Sequence, residues 1–259
     1  MSNVTTALIT GASSGIGAAL ALALARPGAR LHISGRDAGR LSTVAAACRA
    51  KGCEVHERLI DVRDAAAMAD WIAQAGALDL VVANAGIGAG SSDGRPESAT
   101  QTRAVFATNL DGALNTALPA LECMLAQPPD TQGVRGRIAV IASIAAFVPG
   151  PDAATYCASK AALDRWAVAT APHAARHGVR ITSVCPGYIR TAMTASNRFP
   201  MPGLMDADRA ATIILRGLEA NRRRIAFPWW VAWAARLVGA LPLSWSTRIL
   251  ATSAGKAPL

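Results

Sequence analysis

Short apolar runs that alternate with longer alanine-rich stretches constrain this chain more than any other feature of its sequence. The runs lie at residues 6–10, 30–35, 53–61, 79–83, 137–142, 179–185 and 224–227. Between them fall stretches of helical length at 15–26, 38–50, 64–75, 97–125, 153–177 and 206–220. Alanine is the strongest helix former, so the helical assignment does not rest on periodicity alone. Repeated strand–helix–strand units give a parallel sheet covered by helices on both faces. The expectation is therefore an α/β fold, a Rossmann-type doubly wound parallel sheet of seven strands. Six crossovers use nearly all of the 259 residues and leave no linker long enough to separate a second folding unit from the first. With 52% hydrophobic and 17% charged residues, disorder and fibrous classes are excluded.

The net charge is +9, and arginine supplies almost all of the basic side: the only lysines are Lys51, Lys160 and Lys256. After Glu219 no acidic residue follows, while Arg222, Arg223, Arg224, Arg236, Arg248 and Lys256 add six positive charges. A nucleic-acid partner would require a recognisable binding motif or a basic patch with aromatics on a binding element; no such motif is found, and no nucleic acid is expected to bind. The five cysteines include no CxxC pair, and His173 and His177, four apart near a predicted helix end, lack a third ligand. No metal is expected. No basic, apolar leader opens the sequence, and nowhere do about 18 uncharged apolar residues run together. A cytoplasmic protein, at most peripheral to the inner face of a membrane, is the expectation.

The first run passes directly into Gly11-Ala12-Ser13-Ser14-Gly15-Ile16-Gly17 and then into a helix. Small residues at a strand-to-helix turn serve a tight reversal, close approach of backbone to a pyrophosphate, and close helix–strand packing. A phosphate there meets free N–H groups at the positive end of the helix dipole. Taken alone, the glycines also fit a plain tight turn.

Context decides between the two. Thr10 through Gly17 resembles the TGxxxGIG fingerprint of the short-chain dehydrogenase/reductases, and further motifs of that family follow in order. Asp61-Val62 resembles its adenine-side DV, Asn84-Ala85-Gly86 its NAG, and Asn109 the asparagine of its fifth helix. Ser143 stands thirteen positions before Tyr156, Tyr156–Lys160 matches YxxxK, and Pro186 through Thr191 matches PGxxxT. The resemblance spans roughly residues 6–228 and departs only slightly: Ala83 stands where a second Asn is common, and the loop 127–136 is long. It implies a dinucleotide-binding and catalytic domain over residues 1–228, a C-terminal extension over 229–259, and a homodimer or homotetramer assembled through the two long helices. The implied coenzyme ligands are Gly11, Ser13, Ser14, Gly15, Ile16, Gly17, Asp61, Val62, Asn84, Ala85, Gly86, Tyr156, Lys160, Pro186, Gly187, Ile189 and Thr191.

Tyr156 and Lys160 are four apart on a predicted helix and so share a face. A free phenol has a pKa of about 10 and a nearby cation lowers it, which would fit Tyr156 for proton transfer near neutrality. Only two tyrosines and three lysines occur in the chain, so the pairing is not a matter of abundance. By resemblance, Ser143 hydrogen-bonds the substrate oxygen, Tyr156 transfers the proton, Lys160 also holds the nicotinamide ribose, and Asn109 anchors a water in a proton relay. The implied reaction is hydride transfer between nicotinamide and a carbonyl or secondary alcohol.

The second run ends Ser34-Gly35-Arg36-Asp37. Gly35 stands where an NAD-preferring enzyme would carry a carboxylate, and Arg36 offers a fork of donors suited to a 2′-phosphate. NADP(H) is favoured over NAD(H), although Asp37 could pair with Arg36 or turn to the ribose itself.

By the same resemblance, residues 192–205 stand where the family carries its mobile substrate lid, and Met193, Phe199, Met201, Leu204 and Met205 make the segment apolar. Beyond it, Trp230, Trp233, Ala234, Leu237 and Leu241 fall on one helical stripe with Arg236 off it, and four of the six tryptophans lie in this tail. Three roles are open for the tail: packing on its own cleft, packing on a partner subunit, or contact with a membrane surface. The alternative to an enzyme is a nucleotide-binding scaffold that docks through it.

Overall fold

All seven apolar runs form strands, and all seven pair in parallel in one sheet. The structure, a computed structural model, describes residues 4–250 apart from 92–94, 196 and 198; residues 1–3 and 251–259 of the expected units, with Lys256, lie outside the described residues. The chain runs β1 (Thr6–Ile9), α1 (Gly15–Leu24), β2 (Arg30–Gly35), α2 (Ala38–Arg49), β3 (Glu54–Leu59), α3 (Ala65–Gln74), β4 (Leu80–Ala83), α4 (Ala99–Phe106), α5 (Gly112–Ala126), β5 (Gly136–Ile141), α6 (Ala154–Arg176) and β6 (Val179–Pro186). It continues through β7 (Ile189–Arg190), α7 (Ala192–Ala195), β8 (Met205–Asp206), α8 (Ala207–Glu219), β9 (Arg224–Phe227), α9 (Trp229–Ala240) and α10 (Leu243–Leu250).

The strand order is β3-β2-β1-β4-β5-β6-β9, the doubly wound arrangement whose direction of progression reverses between β1 and β4. Strand period sorts the core into two layers. Ala7 and Ile9 of β1 face Leu20 of α1, Leu41 of α2 and Ile214 of α8 on one side. Leu8 between them faces Trp71 of α3, Ala117 of α5 and Leu163 of α6 on the other. Side-chain caps set three helix starts: Asp37, Asp64 and Ser98 each accept the backbone N–H three residues on. Helix α1 departs from this pattern, since Ser14 makes no side-chain cap.

Three details differ from the sequence reading. The third strand stops at Leu59 rather than 61, because Asp61 turns back to accept from the Arg63 backbone and guanidinium at 3.0 Å each. The single helix expected over 97–125 is divided by a π-helical turn, Ala107–Asp111, where Asn109 is directed onto the backbone of Ile87. The lid segment contains the short α7 and is closed at its base by β7–β8 pairing, Ile189 to Met205 and Arg190 to Asp206. In the tail, the buried face of α9 is Val231 and Ala232, while Trp230, Trp233 and Leu237 of the expected stripe are exposed. Near its end α9 lies so close to the turn Ile144–Phe147 that a Cβ on Gly239 would come within 1.8 Å of the Phe147 carbonyl oxygen.

Candidate active site

A cavity of about 1010 Å³ opens at the carboxyl ends of the strands, where a doubly wound sheet binds its ligands. One end is built by the glycine turn. Gly11 and Gly15 have φ of +65° and +56°, a region that favours glycine. A Cβ on Gly11 would also press on the Ala85 backbone at 2.8 Å, and one on Gly17 on the Gly11 carbonyl at 2.4 Å. The turn is clamped to the end of β4: Thr10 Oγ1 accepts the N–H groups of Asn84 and Ala85, and Asn84 Nδ2 donates to the carbonyls of Thr10 and Gly11. The first N–H groups of α1 thus have no intrahelical acceptor and no side-chain cap, and the surrounding turn residues line the cavity. This cradle fits a pyrophosphate.

The rim beside it is basic. Arg36 lines the cavity, and so does Arg40, which the sequence reading missed although it stands three residues from Asp37 at a helix start. Asp37 does not pair with Arg36: its carboxylate accepts the Arg40 N–H at 2.9 Å and pairs with the Arg40 guanidinium at 2.9 Å. Those bonds, the backbone N–H first, hold its pKa below the usual value. Asp61 is likewise held low, chiefly by its bonds from Arg63 and to a lesser degree by Arg36. A Cβ on Gly35 would lie 3.1 Å from the Ser13 side chain, so a carboxylate there would crowd the turn.

Three of the expected site residues meet midway. Ser143 closes β5, Tyr156 and Lys160 project from the first turns of α6, and all three line the cavity. Lys160 is buried and its Nζ donates to the Ile141 carbonyl at 2.8 Å, 5.9 Å from the centroid of the Tyr156 ring. The phenol is pushed up to about 12, by burial first, with the hydrogen bond from Ser143 opposing. Burial of the phenol thus works against the lowering expected from a neighbouring cation.

Of the expected site residues, Gly17 and Asn109 alone stand behind the lining. Asn109 is fully buried, accepts from Ile87 N at 2.8 Å and donates to Ile87 O at 3.0 Å. A Cβ on Gly86 would touch both Asn109 Oδ1 at 3.1 Å and Lys160 Nζ at 3.5 Å, so the three pack as one layer. The far end of the cavity is apolar. Tyr188 meets Phe199 edge-on at 5.9 Å, and Ile144, Val148, Val231 and Val238 complete the wall. The α9 residues are spaced i, i+4, i+7 (Val231, Ala235, Val238), a pattern present in the sequence but outweighed there by the tryptophans. No group of three metal-ligating side chains occurs among the described residues.

Residues 5–201 match the short chain dehydrogenase family. An uncharacterized oxidoreductase of Myxococcus xanthus is 36% identical over 241 residues, 92% of each chain. A solved short-chain dehydrogenase from Sphingobium yanoikuyae, in complex with NADPH, superposes with a TM-score of 0.78 at 25% identity, covering 93% of this chain and 98% of that one. A short chain dehydrogenase/reductase from Burkholderia phymatum, in complex with NAD, superposes with a TM-score of 0.79 at 24% identity over 90% and 92% of the two chains, a likeness of fold alone.

Proposed function

The chain belongs to the short-chain dehydrogenase/reductase family, whose members are oxidoreductases, and from that premise we propose that it transfers hydride between NADP(H) and a carbonyl or secondary alcohol with an apolar body. The observation that carries this is the convergence of Ser143, Tyr156 and Lys160 between a phosphate cradle and an apolar wall in one cavity. When bound, the nicotinamide supplies or accepts the hydride at the substrate carbon. In the reducing direction Tyr156 Oη gives its proton to the carbonyl oxygen, so hydride plus proton complete the alcohol. The Ser143 hydroxyl steadies that oxygen and the phenol. The buried Lys160 ammonium places positive charge one helical turn from the phenolate that results, and Asn109 keeps the layer that holds Lys160 in place.

The raised Tyr156 pKa sets a pH dependence. A phenol protonated at neutral pH is ready to donate, so carbonyl reduction should be flat through the neutral range. Alcohol oxidation needs the phenolate, whose share rises about tenfold per pH unit below the pKa. Initial rates in both directions across pH check this; an oxidation profile already flat at neutrality would contradict it.

Coenzyme choice rests on the rim. Arg36 and Arg40 line the rim and would hold a 2′-phosphate by charge and hydrogen bonds, while Asp37 is engaged as a cap and as the ion-pair partner of Arg40. Thermal midpoints with NADPH, with NADH and with neither test it. Ligand at about 100 times its Kd adds about 2.7 kcal/mol, roughly 5–10 °C for this size, and NADPH should give the larger shift. Arg36→Glu should weaken NADPH by roughly 10- to 100-fold, the worth of a hydrogen bond to a charged group, and favour NADH. Equal shifts from both coenzymes in the parent protein would refute the preference. A homodimer or homotetramer through α4–α5 and α6, and a cytoplasmic setting in keeping with five cysteines outside any disulfide, belong to the same reading.

A further inference from the structure

Exposed large apolar side chains are few on this protein and sharply localised. Twelve occur among the described residues, and eight of them lie on α9, α10 and the corner between: Trp229, Trp230, Trp233, Leu237, Leu241, Leu243, Trp245 and Ile249. Trp229 is 72% exposed, Leu237 64% and Trp245 64%. A contiguous apolar surface of this kind marks a contact site rather than chance exposure. The segment from Trp229 to Leu250 carries Arg236 and Arg248 and no acidic residue. Pairing this face with its own copy would bring these arginines together with no carboxylate of the segment to answer them. An anionic occupant is complementary. Tryptophans on short amphipathic helices flanked by arginine suit the headgroup region of a bilayer, where the rings sit between apolar and polar layers.

The same helices form one wall of the cavity. Val231, Ala235 and Val238 on the inner side of α9 line its apolar end, and Ile249 lines it while remaining 51% exposed, so it stands at an opening. We propose that the outer face of α9 and α10 docks on an anionic lipid surface, setting the cavity mouth against the lipid so that an apolar or amphiphilic carbonyl or alcohol enters from the membrane. The docking half stands on the surface alone; the substrate half rests on the oxidoreductase reading above. No helix among the described residues is long and apolar enough to cross a membrane, and the proposal requires none.

Co-sedimentation of the full chain with phosphatidylcholine vesicles, with and without added phosphatidylglycerol, is the test. Binding should be at least about 5-fold tighter on the anionic vesicles, the worth of one arginine at a charged surface, since Arg248 is exposed while Arg236 is held against the Phe147 ring, and it should weaken as salt is raised. The triple variant Trp229→Ser, Leu237→Ser, Trp245→Ser alters none of the cavity residues. It should bind vesicles at least about 100-fold more weakly while keeping the parental thermal shift with NADPH, which shows that the fold and the coenzyme end are intact. For a long-chain ketone carried in the vesicles its KM should rise; for a short water-soluble ketone it should not. Three results would overturn the docking: no sedimentation on either vesicle, undiminished sedimentation of the variant, or a drop in the variant's oligomeric state by light scattering, which would assign the face to a second copy. Vesicle binding with no ketone turned over at all would retain the docking and sink the oxidoreductase reading.

Discussion

Tyr156→Phe is expected to lower kcat for carbonyl reduction by about a thousandfold, within the range a positioned proton donor contributes, and to leave the thermal shift with NADPH intact. The substitution removes one oxygen and keeps the half-buried ring. Lys160 is anchored independently of the phenol, through the Ile141 carbonyl at 2.8 Å, and should stay in position. What is lost is the phenol hydroxyl, which Ser143 hydrogen-bonds and which keeps its proton at neutral pH. Single-turnover rates, compared with midpoints measured under saturating NADPH, separate chemistry from binding. Turnover within tenfold of the parent would remove Tyr156 from the reaction. A lost NADPH shift would instead mean that the ring oxygen is needed to hold the coenzyme.

Much of this could be read from the chain because it is local. Strand period, visible at Ala7, Leu8 and Ile9, fixes which side chain meets which helix layer. The turn from Gly11 to Gly17 is legible because only small residues fit against the Ala85 backbone and the Gly11 carbonyl. What escaped is what depends on partners distant in sequence. The direction of the Tyr156 shift turns on the burial of the phenol, which does not follow from a spacing of four. The role of Asp37 was open until Arg40 was seen to claim it. In α9 the tryptophan spacing left open which side faces the protein, and the structure turns Val231 and Ala232 inward. The π-helical turn at Asn109 reflects a bond to Ile87, 22 residues away.

The largest stability effect should come from another such long-range contact. Asp164 lies one turn beyond Lys160 on α6, nearly fully buried, and Arg224 of β9 donates to both of its oxygens at 2.8 Å. Ser183 Oγ donates to the same carboxylate at 2.7 Å. The Arg224 guanidinium also lies 5.6 Å from the Phe147 ring centroid, and Arg236 of α9 lies 4.6 Å from it. The pair therefore ties α6, which carries Tyr156 and Lys160, to the last strand and, through Phe147, to the tail. Asp164→Ala leaves a guanidinium without its carboxylate, and breaking a buried pair from one side costs about 3–5 kcal/mol. The Arg224 side chain is 28% exposed and can regain some water, so the lower figure, about 3 kcal/mol, is expected. The midpoint should fall by roughly 6–12 °C. Asp164→Leu combined with Arg224→Met removes both charges and should recover most of that loss, since an apolar replacement of a buried pair is often near neutral. A deficit of about 1 kcal/mol should remain, because the Ser183 hydroxyl keeps only the Cys185 thiol at 3.5 Å in place of the carboxylate. Such a rescue is the signature of a coupled pair. A double variant as unstable as the two single losses added together would show that each side chain acts through packing of its own, and an unchanged midpoint for Asp164→Ala would show that the pair contributes nothing.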